Sequence, residues 1–431
     1  MLYRLDDVDC VSARGHAAIG GAMAIQAVWL YDRAVDMAGL AEFHAALRDG
    51  RLGRAVAAAL IPAAGDRWTA RAEIAPVEVA PAAIARGDLE EWIAEQARAE
   101  LRTYGGPAWR LAVARLDDGG SAVSLLVSHT IADGRGLCDA VLAAVARERT
   151  EFHYRSDEFG ATRRLLADLG AAAKRVGPAL TAVVLGARLA AARRAQPAID
   201  AAPDPDFRVP TLDVKVPARL WRAAAAARGG TATTLAVAVM AEIAATAGRV
   251  DEQGAVRMMM PVSTRVEDDH RANALGSIEF EVGDVPDDLA PLRALMKEKL
   301  SAAAAAGQAP PPVFPVAVAL PRGLYGVLAR QAATDSTRTV CSNLGELDPR
   351  MVDIDGSAAT SLRIGLINQS LTSRAVVAGR GGTLYGLFFE CGDRISLQIN
   401  AFHSPTLENL EQLTEAVHRV LARYQLTVTS E

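Results

Sequence analysis

The chain has 431 residues, of which 51% are hydrophobic and 23% are charged, and its formal net charge is −5. This composition is typical of a folded globular protein and excludes a disordered chain. The negative net charge gives no basic footprint, so no nucleic acid is expected as a partner. A chain of this length is expected to form two or three folding units.

The cysteines and the N-terminus predict a reduced, cytoplasmic setting. The four cysteines lie far apart without a C-x-x-C pair, so each is interpreted as a small buried hydrophobic residue: Cys10, Cys138, Cys341 and Cys391. Residues 1–14 contain aspartates where a secretory signal would need an apolar core. No apolar run reaches the length needed to span a bilayer. A cytoplasmic protein is therefore expected.

The first part of the chain alternates strand-like and helix-like patterns. Strands are predicted at 22–31, 68–79, 111–118 and 122–127, with a hairpin turn at 117–120. Helices are predicted at 36–50, where Asp36 is a candidate N-cap, and at 88–101. Mixed strands and helices in this order predict an open, mixed sheet with helices packed against it.

A histidine follows the last of these strands. His129 comes directly after the strand at 122–127, Asp133 and Gly134 follow it, and a helix is predicted over 137–146. Histidine can take and give protons near neutral pH, and an aspartate four residues later can fix the loop that carries it. The glycines at 134 and 136 are expected to let the backbone turn tightly into the helix. We predict a reaction centre at His129.

A break in the pattern divides the chain. Four prolines between residues 195 and 210 interrupt all periodicity and mark the best domain boundary. We predict an N-terminal lobe over 1–198, a linker over 199–212 and a C-terminal lobe over 213–431.

The second part repeats the style of the first. Strands are predicted at 214–216, 255–260, 277–282, 338–347, 384–390 and 394–402, and helices at 218–227, 233–247, 289–306 and 322–333. Thr231 or Thr233 is a candidate cap of the second of these helices. A final helix is predicted to begin at Ser404 as N-cap with Pro405 at its first position.

An alanine-rich helix is predicted over 160–194, and it carries Arg163, Arg164, Lys174, Arg175, Arg188, Arg193 and Arg194. A basic amphipathic helix can lie on a membrane surface. The alternative, a helix packed on the sheet with its arginines in water, is favoured. Peripheral membrane contact is therefore a secondary interpretation.

The H-x-x-x-D-G pattern of His129, Asp133 and Gly134 resembles the signature of the condensation and CoA-dependent acyltransferase superfamily, which has the chloramphenicol-acetyltransferase-like fold. The order of elements resembles its wax-ester-synthase-like and polyketide-associated branch, with an L-x-x-x-D segment at 2–6 or 5–9 and a P-x-W-R turn at 107–110. Ser128 departs from the paired histidines of much of the superfamily. The resemblance implies an α/β fold of two lobes, each a mixed sheet covered by helices, with a substrate tunnel between them.

Two further segments resemble elements of the same branch. PVSTR at 261–265 matches a P-V-S-x-R segment, and this match implies that Arg265 pairs with Asp133. The planar guanidinium of an arginine is suited to bind a carboxylate. The alternative is a surface arginine. Ser342 and Asn343 resemble an S-N-x-x-G element near the reaction centre, where either side chain could donate to an oxyanion or orient the acceptor. The alternative is a turn that satisfies its own backbone.

The resemblance implies direct acyl transfer from a CoA or carrier-protein thioester to a hydroxyl or amine acceptor. His129 would act as general base, and no covalent intermediate is expected because no motif supports a nucleophile. No cofactor and no metal are expected; the partners would be the acyl thioester donor and a small-molecule or lipid acceptor. A basic patch, with Arg135 and the arginines of 160–194 as candidates, is expected to receive the phosphorylated end of the donor. A non-catalytic binding or scaffold protein and a thioester hydrolase stay open as alternatives.

Overall fold

The computed structural model describes residues 3–19, 23–70, 73–148, 159–192, 202, 204, 206–266, 269–306, 313–320, 322, 323, 325, 326, 329 and 337–428. Within these ranges, none of the helices combines the length and hydrophobicity needed to cross a membrane.

The strands of these residues form two large sheets and one short pair. They are β1 Met23–Tyr31, β2 Ala55–Ala57, β3 Arg67–Thr69, β4 Glu78–Val79, β5 Trp109–Arg115, β6 Ser121–Ser128, β7 Thr211–Pro217, β8 Val256–Ser263, β9 Leu275–Val282, β10 Thr339–Leu347, β11 Ser361–Asn368, β12 Thr383–Cys391 and β13 Arg394–Phe402. The first sheet has the order β11-β1-β6-β5-β4, the second has the order β7-β13-β12-β10-β8-β9, and β2 pairs with β3. Each large sheet contains both parallel and antiparallel pairs. The predicted α/β class with two mixed sheets is confirmed.

The helices cover these sheets. They are α1 Asp7–Ile19, α2 Met37–Asp49, α3 Leu89–Gln96, α4 Gly134–Val145, α5 Ala161–Ala192, α6 Ala218–Ala226, α7 Ala232–Thr246, α8 Ala290–Ala306 and α9 Val313–Ala319, followed by the short helix Arg374–Gly379 and the C-terminal helix Leu410–Arg423. Asp36 caps α2 and Thr231 caps α7, each by accepting a backbone N–H, as predicted.

The strand before His129 is buried on both faces of the first sheet. Alternate residues of β6, Val123, Leu125 and Val127, join one core with helices α1, α2 and α4. Ala122 faces the other side and packs with residues of α3. This double burial explains the nearly continuous apolar sequence of β6. The strand end that carries His129 is therefore held in a rigid layer.

The second sheet has its own core, which is built around α7. Every residue of α7 from Thr234 to Ala244 is buried, and α6, α8 and the C-terminal helix pack in the same core. The opposite face of this sheet contacts the first core, because Leu387 and Phe389 of β12 belong to it. The two sheets are thus joined by apolar contacts as well as by the polar contacts described below.

One strand of the first sheet comes from far along the chain. β11 pairs antiparallel with β1 over its whole length, from Ser361 opposite Leu30 to Asn368 opposite Met23. No strand was predicted at 361–368, which lie within the predicted C-terminal lobe. The lobe division at 199–212 stays a prediction, and residues 199–201, 203 and 205 of that linker lie outside the described residues.

The predicted start of the last helix is wrong. The helix begins after Asn409, whose side chain accepts from the N–H of Gln412 at 2.9 Å. Ser404 lies instead in a turn, where the backbones of His403 and Leu407 are hydrogen-bonded to each other. Leu407 is buried in the core from this turn, so its tertiary contact, not the cap signal at Ser404, fixes where the helix starts. The helix predicted at 322–333 lies mostly outside the described residues.

Helix α5 packs against α9 and against the helical turn Pro62–Ala64. Its Asp168 is fully buried and lies 2.7 Å from the guanidinium of Arg4. Arg175 lies 2.9 Å from Asp7 of α1. The helix is packed, as the favoured interpretation has it, but on other helices, and Arg175 is ion-paired. Arg188, Arg193 and Arg194 are not among the side chains that the structure describes.

Candidate active site

His129 lies at the carboxyl end of β6, where the chain leaves the first sheet. Its backbone N–H donates to the carbonyl of Met23 on β1 at 2.8 Å, and its side chain is half-buried. Ser128, at the position where the superfamily signature has a second histidine, is buried, and its hydroxyl lies 2.7 Å from that of Thr130. The chain thus presents a single histidine at this strand end.

Asp133 caps the helix that follows. Its Oδ1 accepts from the N–H of Gly136 at 2.7 Å, and its own N–H donates to the carbonyl of Ala272. Neither Gly134 nor Gly136 has a positive φ, so the turn into the helix does not use the left-handed backbone conformation that favours glycine. A Cβ at position 134 would lie 2.6 Å from Cδ2 of Leu344, and one at 136 would lie 3.2 Å from the Arg265 guanidinium. The two glycines leave room for these neighbours.

The ion pair expected between Arg265 and Asp133 is present. Nη2 of Arg265 lies 2.8 Å from Oδ2 of Asp133, and the two side chains are 9% and 0% exposed. The same carboxylate oxygen accepts from the N–H of Ala274 at 2.9 Å, and the guanidinium also donates to the carbonyls of Arg271 and Ala272. This buried pair ties the His129 loop to the segment after β8.

Two more arginines hold that segment, which we call the 269–274 loop. Arg54 is buried, donates to the carbonyls of His270 and Ile131, and stacks its guanidinium 4.0 Å from the centre of the Trp68 ring. Arg51 donates to the carbonyl of Asp269 at 2.9 Å. The His129 loop and the 269–274 loop are therefore fixed to the same arginine side chains.

The side chain that contacts the imidazole of His129 is an amide. Oδ1 of Asn273 lies 2.6 Å from Nδ1 of His129, and Nδ2 of Asn273 donates to the backbone carbonyl of His129 at 3.0 Å. Asn273 is buried, and Asp9 of α1 accepts from its backbone N–H and from its Nδ2, both at 2.9 Å. Asp9 also accepts from the N–H of Ala272 at 2.8 Å. No role was predicted for Asn273, and Asp9 was noted only within the L-x-x-x-D segment.

Helix α1 and the residue before it bring further titratable groups to this region. Burial, together with the charge of Asp9, raises the pKa of Asp6 to about 6. Burial, together with the nearby charge of His129, lowers the pKa of His16 to about 4. Nδ1 of His16 is buried without a hydrogen-bond partner among the described residues. At neutral pH His16 is therefore an uncharged neighbour of His129.

Ser342 and Asn343 lie on β10, which approaches the histidine motif through Leu344. The carbonyl of Leu344 accepts from Arg135, and its side chain faces Gly134. Oδ1 of Asn343 accepts from the N–H of Gly345 at 2.7 Å, and its Nδ2 donates to the hydroxyl of Thr233 at 2.9 Å. Within the described part of the chain, neither Ser342 nor Asn343 is hydrogen-bonded to His129. Asn343 thus binds its own backbone in a turn, which was the alternative to a role at the reaction centre. A role toward an oxyanion stays a prediction.

A groove of about 1360 Å³ lies between the two sheets. Met23, the residue whose carbonyl binds the backbone of His129, lines it. Polar side chains of both sheets also line it, namely Gln26, Arg363, Asp213, Lys215, Tyr385, Gln398 and Asn400. A space with an apolar lining and convergent polar groups is the usual form of a small-molecule site. A tunnel that passes through the molecule stays a prediction.

Sequence comparisons find no match: no family model and no curated protein matches the chain. Solved structures match along its whole length. The first condensation domain of the CDA synthetase is 13% identical, covers 100% of this chain and 99% of its own, and has a TM-score of 0.59. The starter condensation domain of the rhizomide synthetase RzmA in complex with C8-CoA is 13% identical, with 99% and 94% covered and a TM-score of 0.55.

A longer protein also matches. The nonribosomal peptide synthetase FmoA3 in its AMPPNP-bound form is 17% identical and has a TM-score of 0.52, with 99% of this chain covered. This chain spans only 42% of that synthetase chain. At these identities the likeness concerns the fold. The two mixed sheets and the helices that cover them are those of a protein with the condensation-domain fold.

Proposed function

We propose that the protein transfers an acyl group from a CoA or carrier-protein thioester to a hydroxyl or amine acceptor. The observation that carries the proposal is the position of His129, a half-buried base at a strand end whose backbone N–H binds Met23, a residue of the groove lining. The His129 loop is fixed by the buried pair of Asp133 and Arg265. A base held in this way can meet an acceptor and a donor that enter between the lobes.

The reaction needs one proton transfer in each direction. Nε2 of His129, the ring nitrogen that does not face Asn273, takes the proton of the acceptor hydroxyl or amine as the acceptor attacks the thioester carbonyl. The tetrahedral intermediate collapses, the carbon–sulfur bond breaks, and the imidazolium returns its proton to the leaving thiolate. Asp133 positions the loop and does not contact the imidazole. Ser342 or Asn343 would stabilise the oxyanion or orient the acceptor in this proposal.

A thioester donor is supported by one of the similar structures, since the RzmA domain is in complex with C8-CoA. Arg135 is exposed at the start of α4 beside the histidine motif, where it would contribute to a basic patch for the phosphorylated end of the donor. We expect transfer from acyl-CoA to slow in Arg135→Gln and to become less sensitive to salt. Equal salt dependence of the variant and the wild type would remove Arg135 from this role.

The test is thiol release and product formation with acyl-CoA and acyl-carrier-protein donors, with and without a panel of amines and alcohols. We expect thiol release to depend on an acceptor, and His129→Ala to slow it by ~10²–10⁴-fold. His403→Ala, which removes a histidine from the turn after β13, is the matched control. Full transfer activity of His129→Ala would contradict the proposal.

Two other outcomes would identify a different function. Thiol release without any acceptor would show a thioester hydrolase. Tight retention of an acyl thioester, detected by mass spectrometry of the purified protein and without turnover, would show a binding protein that uses the same fold.

A further inference from the structure

The hydrogen bonds of Asn273 fix which end of its amide faces His129. One end lies 2.9 Å from Oδ1 of Asp9 and 3.0 Å from the carbonyl oxygen of His129. A backbone carbonyl only accepts hydrogen bonds, and each oxygen of Asp9 already accepts a backbone N–H, so the amide nitrogen must point toward them. The other end, 2.6 Å from Nδ1 of His129, is therefore the amide oxygen.

This orientation fixes the proton on the imidazole. An amide oxygen cannot donate, so the hydrogen bond to it requires a proton on Nδ1 of His129. A neutral imidazole carries one proton, and Nε2 is then left with its lone pair. The contact with Asn273 thus selects the form of His129 in which Nε2 is the base.

The amide is itself locked from both sides. Asp9 is fully buried and accepts three N–H bonds, from the backbones of Ala272 and Asn273 and from the Asn273 side chain. The side chain of Asp133 accepts from the N–H of Ala274, and the backbone N–H of Asp133 donates to the carbonyl of Ala272. Asp9 orients the side chain of Asn273, whereas Asp133 fixes the backbone before and after it. A rotation of the amide would place its oxygen against a carboxylate and a carbonyl, which is unfavourable in a buried site.

We propose that Asn273 is a positioning residue that keeps the proton of neutral His129 on Nδ1, and that Asp9 locks the Asn273 amide in the orientation this requires. Asp9 and His129 belong to the first sheet's half of the chain, and Asn273 comes from the loop after β8. The base is therefore set in its reactive form only when the 269–274 loop is seated on the first half. The consequence for catalysis rests on the proposed function; the protonation pattern itself does not.

The protonation pattern can be observed directly. Protein with ¹⁵N-labelled histidine is examined by long-range ¹⁵N–¹H correlation at a pH above the titration of His129, and the ring is assigned with His129→Gln. We expect Nδ1 to show the signature of a protonated nitrogen and Nε2 that of an unprotonated one. This measurement uses the unmodified protein, so it stands even where a variant fails to fold. A proton found on Nε2 would overturn the proposal.

Variants then test the role of the amide. Asn273→Ala should lose the fixed pattern and lower kcat by about 10²-fold with a smaller change in KM, as expected when a base loses the partner that orients it. Asp9→Asn should give a mixed pattern, because its amide can no longer accept all three N–H bonds. Asn409→Ala removes a helix cap far from the site and should lower stability without changing the pattern.

The outcomes separate this inference from the proposed function. An unchanged pattern in Asn273→Ala would contradict the role of Asn273, whatever the activity. The predicted pattern in a protein that transfers no acyl group would leave the inference in place and remove the proposed function. Acyl transfer by a protein whose His129 carries its proton on Nε2 would remove the inference and leave the proposed acyl transfer in place.

Discussion

Two of the junctions that connect the first sheet to the later part of the chain are built differently. At one, β11 adds to β1 through backbone hydrogen bonds along the whole strand. At the other, the His129 loop meets the 269–274 loop through side chains, chiefly Asp9, Asp133 and Arg265. Backbone pairing depends little on which residues form it, whereas each contact of the second junction depends on one particular group.

The difference shows what each junction determines. The strand junction sets the architecture, because it decides which strand completes the first sheet. The side-chain junction sets the site, since it fixes the position of His129 and the direction of the amide that faces it. A substitution at the side-chain junction should therefore lower the free energy of unfolding by more than one at the strand junction, and it should also affect acyl transfer.

The largest effect is expected from breaking the buried ion pair. Asp133→Asn keeps the size of the side chain but removes the charge opposite Arg265. Its N–H₂ group then faces either the guanidinium together with the N–H of Ala274, or the N–H of Gly136. An unpaired buried arginine should lower the free energy of unfolding by ~3–5 kcal/mol. Urea unfolding followed by circular dichroism measures it, and acyl transfer should be lost in parallel.

The control for that change is an exposed pair. Glu415→Gln breaks the contact with Arg419 on the C-terminal helix, where both side chains are more than half exposed. Such a pair contributes about 0–1 kcal/mol. Equal stability of Asp133→Asn, Glu415→Gln and the wild type would show that the side-chain junction does not hold the lobes together.

Stability should also depend on pH through His16 of α1, which lies near the side-chain junction. Its folded-state pKa of about 4 lies below the ordinary value of 6.5, so the unfolded chain binds a proton first as the pH falls. Stability is then lost between pH 6.5 and pH 4, by about 3 kcal/mol at full protonation of the unfolded form. Urea unfolding at pH 7 and at pH 4 measures this: the free energy of unfolding should fall by about 3 kcal/mol more in the wild type than in His16→Gln.

Asp6 should act in the opposite direction. Its pKa is raised to about 6, so the folded state binds the proton first and gains stability as the pH falls from 6 toward 4. The effect should be smaller than that of His16 because Asp6 is less buried. Asp6→Asn should therefore steepen the acid loss of stability, whereas His16→Gln should reduce it. The same slope in both variants would show that neither group titrates as its surroundings indicate.

Those elements of the fold that depend on short sequence patterns could be predicted. β6 and α4 follow from a continuous apolar run and from apolar residues at helical spacing, and the caps at Asp36 and Thr231 follow from residue type. The start of the last helix could not, because Ser404 and Asn409 are both good caps. The buried position of Leu407 decides between them.

The site shows the same limit. His129, Asp133 and Arg265 could be found because short motifs carry them. Asp9 and Asn273 could not be assigned, because their contacts join positions 264 residues apart and no local pattern records such a contact. β11 was missed for a related reason: a strand with a central glycine gains its place only from pairing with β1.

The smallest effect is expected at the strand junction. Gly365 of β11 lies against the amide of Gln398 on β13, and a Cβ at this position would overlap it. Gly365→Ala should cost ~1–3 kcal/mol, the usual range for an overpacked contact, and should leave the protonation pattern of His129 unchanged. Gly283→Ala is the matched control, because nothing lies within 4 Å of the added methyl group.

A second substitution shows whether the overlap is the cause. Gln398→Ala removes the amide that the new methyl group meets, so Gly365→Ala combined with Gln398→Ala should be less destabilised than the sum of the two single variants. Additive losses would place the cost in the strand backbone itself. A change in the His129 pattern in either single variant would show that the two junctions are coupled, and the separation between architecture and site would fail.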